Sequence, residues 1–295
     1  MTDESLSTDG KAPEVAPTRD VNWARAFSTP AGLILGLDMV GRTLNGCHMV
    51  CRPVAPALAG VSGSVHPGAV TVMADQCMGS AASGDRPRAL VTLDMRIDWF
   101  TDPAPGSEVH CRATAAASTG RSVFVTSEFR DSAETLLGTG AAQFMVGVAA
   151  GGFTDIYERG ASLQKHRAGL SFTGVDSFES YLDIQEEGPE LILWPSDRFI
   201  GSPFLPALHG GVTAAALREA MWLRARSWQP APNFHMIGWT TQYLLAGQAL
   251  KPLRVVTDWI RQGRNIALLR ASALQEGKKG PVAIAQASFV ALESE

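Results

Sequence analysis

The sequence predicts an α+β fold built twice in tandem, and three observations predict it: an internal repeat, a helix that is apolar nearly all round, and strand-like runs in the same order in each half. The repeat comes first, because a fixed period decides the architecture. His66-Pro67-Gly68-Ala69-Val70-Thr71 returns as His209-Gly210-Gly211-Val212-Thr213-Ala214, 143 residues later. Gly120-Arg121-Ser122 returns as Gly263-Arg264-Asn265 at the same offset, residues 140–144 resemble 285–289, and residues 48–53 resemble 190–195.

Each half then reads alike. A strand pair turns at Asn45-Gly46 within residues 35–53, and its counterpart turns at Gly188-Pro189 within residues 181–195. An alanine-rich helix follows, over residues 69–82 and again over 212–225. The runs 90–100, 108–117, 122–130 and 138–146 complete the first sheet, and residues 236–290 repeat them with turns at Gly263 and 277–280. The helices carry small or apolar residues on almost every side, so a sheet must curl around each of them. The predicted division is a disordered polar tail over residues 1–20, a first domain over 21–147, a linker over 148–175 and a second domain over 176–295.

Composition narrows the function. The chain has 295 residues, 45% hydrophobic and 18% charged, enough for two ordinary cores. A net charge of -4 with no basic, aromatic-interleaved stripe excludes a nucleic-acid binder. Cys47, Cys51, Cys77 and Cys111 lack the second pair that a metal site needs, and they read as buried thiols of a cytoplasmic protein. No apolar run approaches the roughly 20 residues of a membrane span, and residues 1–20 hold no apolar core of a signal peptide. No metal and no bound cofactor are expected.

The chemistry points to Asp75. It sits among Met73, Ala74, Cys77 and Met78, where a carboxylate costs several kcal/mol unless it is paired or performs a task. An exposed helix edge is the competing account. His209-Gly210-Gly211 opens the sister helix, and a helix N-terminus offers unpaired N–H groups to a polarised carbonyl or an oxyanion. Glycine lets a ligand approach that backbone closely.

Residues 66–79, the strand Thr92 to Phe100 and the Pro105-Gly106 turn together resemble the PaaI-like branch of the hot-dog thioesterases. The resemblance spans residues 35–146 and, more faintly, 181–292. It implies two tandem hot-dog domains, each a long helix wrapped by a curved antiparallel sheet, that hydrolyse acyl-CoA thioesters at sites shared across the pair. In that family the Asp comes from one helix and an N–H after the His from the facing one. Carried over, Asp75 is base or nucleophile and the Gly210 N–H is the oxyanion donor, with His209 as orienting group or helix cap and Thr92 beside the carboxylate or simply a strand former. Gly211, Gln76, His66, Gly68 and Ser202 are the candidate substrate contacts. The family's asparagine upstream of the His has no counterpart, Gly60 and Pro203 standing at its positions with Ser202 adjacent. Arg121, Arg264, Lys278 and Lys279 are candidate phosphate contacts or plain surface charge. Trp99, Trp222, Trp239 and Trp259 are candidate acyl-pocket walls or core.

The second shared site departs from the family. It pairs Pro67, which has no backbone N–H, with Arg218, which cannot act as a base. One working site per chain is therefore expected, with Glu219 as an alternative carboxylate. An acyl-CoA binding protein without catalysis is the rival reading; a hot-dog hydratase is disfavoured because no Asp precedes any His by five positions. A homo-oligomer, a dimer of fused chains, is expected.

Overall fold

The computed structural model describes residues 29–52, 63–84, 90–146, 175, 177–187, 190–201, 207–228 and 233–292. The predicted tail, the predicted linker except Val175, the Gly188-Pro189 turn, Gly60, Ser202 and Pro203 lie outside the described residues.

The chain runs α1 (Pro30–Ile34), β1 (Leu37–Arg42), β2 (Gly46–Cys51), α2 (Pro67–Ser83), β3 (Leu90–Trp99), β4 (Val109–Thr119), β5 (Ser122–Asp131) and β6 (Leu136–Val146). The second half repeats the order: α3 (Phe178–Leu182), β7 (Ile184–Glu187), β8 (Glu190–Leu193), α4 (Gly210–Ala225), β9 (Phe234–Tyr243), β10 (Leu253–Gln262), β11 (Ile266–Leu274) and β12 (Ala283–Ala291). The short helices α1 and α3 were not foreseen; Thr29 and Ser177 cap them.

All twelve strands form one sheet in the order β1-β2-β4-β5-β6-β3-β9-β12-β11-β10-β8-β7. Read from either edge, the order is the same, so the two halves are related by a pseudo-two-fold axis through the antiparallel β3–β9 seam, where Asp94 pairs with Gln242 and Asp98 with Gly238. Each half curls its six strands around one helix, which is the hot-dog arrangement.

The helices are buried as their composition demands. In α2 the run Gly68 to Asp75 is buried without interruption, and in α4 the run Gly211 to Met221 is buried. Helix α2 packs on β2, β4, β5 and β6, helix α4 on β9 to β12, and the two helices pack on each other. Small residues permit that crossing: a Cβ on Gly211 would stand 2.8 Å from the Val72 Cα. Both helices start in the same way. His66 and His209 hold extended N-cap backbones, and each ring Nδ1 accepts the N–H two residues on, from Gly68 and Gly211, at 3.0 Å. Among the described residues no helix is long and apolar enough to cross a membrane.

Candidate active site

Where the middle of α2 meets the start of α4, four elements converge on Asp75. Its carboxylate is buried, 7% exposed, and both oxygens are held. The Thr92 hydroxyl donates to Oδ1 at 2.8 Å and the Gly211 N–H donates to Oδ2 at 2.8 Å. Thr92 reaches it because β3 is bulged against β6 between Thr92 and Asp94; a bulge re-aims the flanking side chains. An oxygen of a carboxylate has two lone pairs, so each keeps one for a reacting group.

His209 closes the other side, its Nδ1 3.3 Å from Asp75 Oδ2. Burial lowers its pKa, outweighing the pull of the Asp75 charge, so the ring is neutral. Because Nδ1 accepts from Gly211, the proton sits on Nε2. The Gly211 N–H is thus shared between the His209 ring and the Asp75 carboxylate.

Gly210 lies directly over this carboxylate. A Cβ there would meet Asp75 Oδ2 at 2.9 Å, Oδ1 at 3.0 Å and Thr92 Oγ1 at 3.1 Å. Its N–H belongs to the first helical residue, which has no intrahelical acceptor, and none of the described residues accepts from it. Glycine at this position therefore leaves both a bare donor and open space beside a held carboxylate.

One group was missed from the sequence. The Tyr243 hydroxyl, at the end of β9, donates to the Gly210 carbonyl at 2.8 Å. That carbonyl belongs to the same peptide unit whose N–H, at Gly211, holds Asp75. Burial, with the Asp75 and Asp94 charges, raises the Tyr243 hydroxyl well above its usual pKa, so it remains a donor. The strand registers set Tyr243 against Trp99, Ile237 in the β9 bulge matching Leu93 in the β3 bulge, so the repeat gave no hint of a hydroxyl here.

The structure brings Asp75, Thr92, His209, Gly210 and Gly211 together, and places other candidates elsewhere. Gln76 accepts from the Thr29 hydroxyl at 3.1 Å, beside α1. His66 and Gly68 stand at the mirror-related junction, where the His66 ring stacks on Phe178 at 4.6 Å. There Glu219 Oε1 is 3.9 Å from His66 Nδ1 and is ion-paired with Arg218. Trp99 and Trp222 line an open cavity of about 730 Å³ at this second junction, and the Arg218 guanidinium lies 5.3 Å from the Trp239 ring. Trp259 is on β10, 6.0 Å from the Arg224 guanidinium. Arg121, Arg264 and Lys279 are exposed at turns and Lys278 is half-buried.

Two families match the chain, one in each half. The thioesterase superfamily matches residues 62–137, and the family described as acyl-CoA thioesterase N-terminal domain matches residues 202–290. No curated protein matches. Among solved structures, the tesB protein of Mycobacterium avium subs paratuberculosis is similar over 89% of this chain and 98% of its own, at 11% identity and a TM-score of 0.60. The 12:0-ACP thioesterase of Umbellularia californica is similar over 84% of this chain and 94% of its own, at 12% identity and 0.57. The PaaI protein of E. coli matches 45% of this chain and 93% of its own, at 15% identity and 0.40. At these identities the first two speak for the fold.

Proposed function

Since the chain belongs to the thioesterase superfamily and is a thioester hydrolase of double hot-dog fold, we infer that it hydrolyses acyl-CoA thioesters at a single composite site, built from Asp75 of one half and Gly210 of the other. The observation that carries this reading is the held carboxylate of Asp75 packed against Gly210, whose N–H finds no acceptor among the described residues.

The thioester carbonyl oxygen accepts from the Gly210 N–H at the positive end of α4. Asp75 takes a proton from a water as the water attacks the carbonyl carbon. The tetrahedral oxyanion is stabilised by the same N–H; it collapses with cleavage of the C–S bond, and Asp75 returns the proton to the departing thiolate. Direct attack by Asp75 is the other route open to the same carboxylate, through an anhydride that water then cleaves. Thr92 and Gly211 fix the carboxylate in either case. Tyr243 acts one bond further out: by donating to the Gly210 carbonyl it polarises that peptide and strengthens its N–H toward Asp75. His209, neutral and acting as cap, sets the loop.

Thiol release from short, medium, long and aromatic acyl-CoAs tests the reading. Turnover of at least one class is expected and names the acyl group. CoA esters that bind without release of thiol from any of them would leave a binding protein instead.

A further inference from the structure

The pseudo-two-fold axis pairs each connection at one end of the sheet with a counterpart at the other, and their charges differ. At the end that carries Gly210, Lys251 is the only charged residue between β9 and β10, and the β11–β12 turn holds Lys278, Lys279 and Glu276. Three lysines stand there against one glutamate, a net +2. At the end that carries Pro67, Asp102 and Glu108 lie between β3 and β4 and Glu134 lies between β5 and β6, a net -3. Glu108 pairs with Arg52 and Glu134 with Arg112, whereas none of the three lysines pairs with a carboxylate among the described residues. Arg121 and Arg264 stand at equivalent turns of opposite ends, so they cancel in the comparison.

The lysines are gathered on a braced surface and open to solvent. Lys251 and Lys279 are exposed and Lys278 is half-buried. Lys251 lies over the neighbouring turn, its Nζ 3.9 Å from where a Cβ on Gly277 would stand, one residue before Lys278. Gln275, 6% exposed, ties the two connections together. Its side chain accepts from the Gln248 N–H at 2.8 Å and donates to the carbonyls of Gln248 and Lys251 at 2.9 and 3.2 Å. The β9–β10 connection is bonded in turn to the segment entering α4, the Leu208 N–H donating to the Gly247 carbonyl at 3.0 Å. From Gly247 to Lys251 is four residues, at most about 14 Å of chain. Three like charges are thus held beside the start of α4, where an anion relieves their repulsion.

We propose that Lys251, Lys278 and Lys279 bind the phosphates of the CoA nucleotide, so that the Asp75 junction favours thioesters that carry the nucleotide over those that carry pantetheine alone. The proposal rests on the reading of that junction as a thioester site; its test does not require turnover. A pyrophosphate and a 3′-phosphate bring several negative charges on one small ligand, which suits three ammonium groups on two adjoining turns. An acidic carrier protein would need matching charge over about 800 Å² of surface. At the opposite end, Asp102, Glu179 and Glu186 line the cavity and repel the same nucleotide. The charge difference therefore directs a CoA thioester to the junction that has an N–H to receive it.

Titration calorimetry of the full chain with CoA, 3′-dephospho-CoA and pantetheine is expected to show affinity falling in that order, CoA binding at least about tenfold tighter than pantetheine. Lys251→Gln, Lys278→Gln and Lys279→Gln combined are expected to weaken CoA about tenfold and leave pantetheine unchanged. The same variant is expected to lose most of the fall in CoA affinity between about 50 and 500 mM NaCl. Arg264→Gln, at the opposite end, is expected to alter none of these values. CoA bound no more tightly than pantetheine overturns the proposal, even where Asp75-dependent hydrolysis is present. So does CoA bound as tightly by the triple variant as by wild type. Faster turnover of an acyl group on an acidic carrier protein than on CoA, lost in the triple variant, overturns it by assigning the lysines to a protein. Lysine-dependent CoA binding by a chain that hydrolyses no thioester supports the phosphate site and removes the catalytic reading instead.

Discussion

The two ends of the helix pair began from one plan and now differ at every position of the proposed site except its histidine and second glycine. At one, the α4 N-terminus presents Gly210, and Asp75 faces it with Thr92 and Tyr243 in support. At the other, the α2 N-terminus presents Pro67, and the matching positions hold Arg218, Met236 and Trp99. Only the histidine caps are shared, with the same ring nitrogen on the same helical N–H at the same 3.0 Å. What persists in both is therefore what the fold needs to start a helix, and what differs is the set of groups the proposed reaction would use. The comparison also separates two uses of a buried charge. Asp75 is held by neutral donors and remains available, whereas Glu219 is tied to Arg218, which answers its charge and removes its freedom.

The largest effect among the supporting groups is expected from making the first junction resemble the second at one atom. Gly210→Pro deletes the N–H while keeping a residue that suits the first turn of a helix. A fall of about 10²–10³ in kcat is expected, the usual cost of an oxyanion donor. Gly210→Ala keeps the N–H and adds the Cβ that meets Asp75 at 2.9 Å, so it isolates the steric part. Equal losses in the two variants would remove Gly210 N–H from the mechanism.

Thr92→Val comes next. It keeps the shape and loses a hydrogen bond to a charged group, a loss of about 1.5–3 kcal/mol, or roughly 10- to 100-fold in kcat/KM. Activity within twofold of wild type would show that the 2.8 Å bond does not hold Asp75 for the reaction. Tyr243→Phe removes a neutral bond one peptide away. A drop of about two- to tenfold in kcat with KM little changed is expected; a rise in KM alone would mean that Tyr243 serves binding.

The smallest effect concerns the shared caps. Burial lowers the pKa of both His66 and His209 below the ordinary 6.5, so both are neutral in the fold. Their stabilising share is complete above about pH 6.5 and declines as pH falls below it, because the unfolded chain takes up the protons first. His48, lowered to about 4, extends the decline toward that value. The urea midpoint should therefore fall between pH 6.5 and 4. His66→Asn and His209→Asn, each retaining a capping side chain, should each flatten part of the slope. A midpoint constant over this range would contradict the assignment of neutral caps.

Much of the fold was legible because it is written twice. The offset from His66 to His209 aligned the halves, and the all-round apolar helices implied wrapping sheets. Asp75 stood out as a carboxylate in apolar company, and Pro67 and Arg218 marked the second junction by chemistry that neither residue can perform. Tyr243 was hidden because its partner is a backbone carbonyl, which no side-chain pattern announces. Gly211 was read as a substrate contact, yet its N–H is engaged with Asp75 and the His209 ring, a fact that depends on the helix crossing. Gln76, next to Asp75 in sequence, points its chemistry toward Thr29 because adjacent helical residues are turned about 100° apart. The cavity beside Arg218 arises from parts of α2, α3, α4, β3, β7 and β9, and no local segment encodes it.

The central claim, that only the Asp75 junction turns over thioester, is tested most directly by comparing kcat/KM for Asp75→Asn and Glu219→Gln on the best acyl-CoA, with folding of each variant checked by circular dichroism. The expected result is a loss of at least about 10³-fold for Asp75→Asn, toward the upper part of what a general base contributes, and a value within about twofold of wild type for Glu219→Gln. Retention of about half the activity by Asp75→Asn, or its abolition in a folded Glu219→Gln, would contradict the claim and move the chemistry to the other end of the helix pair.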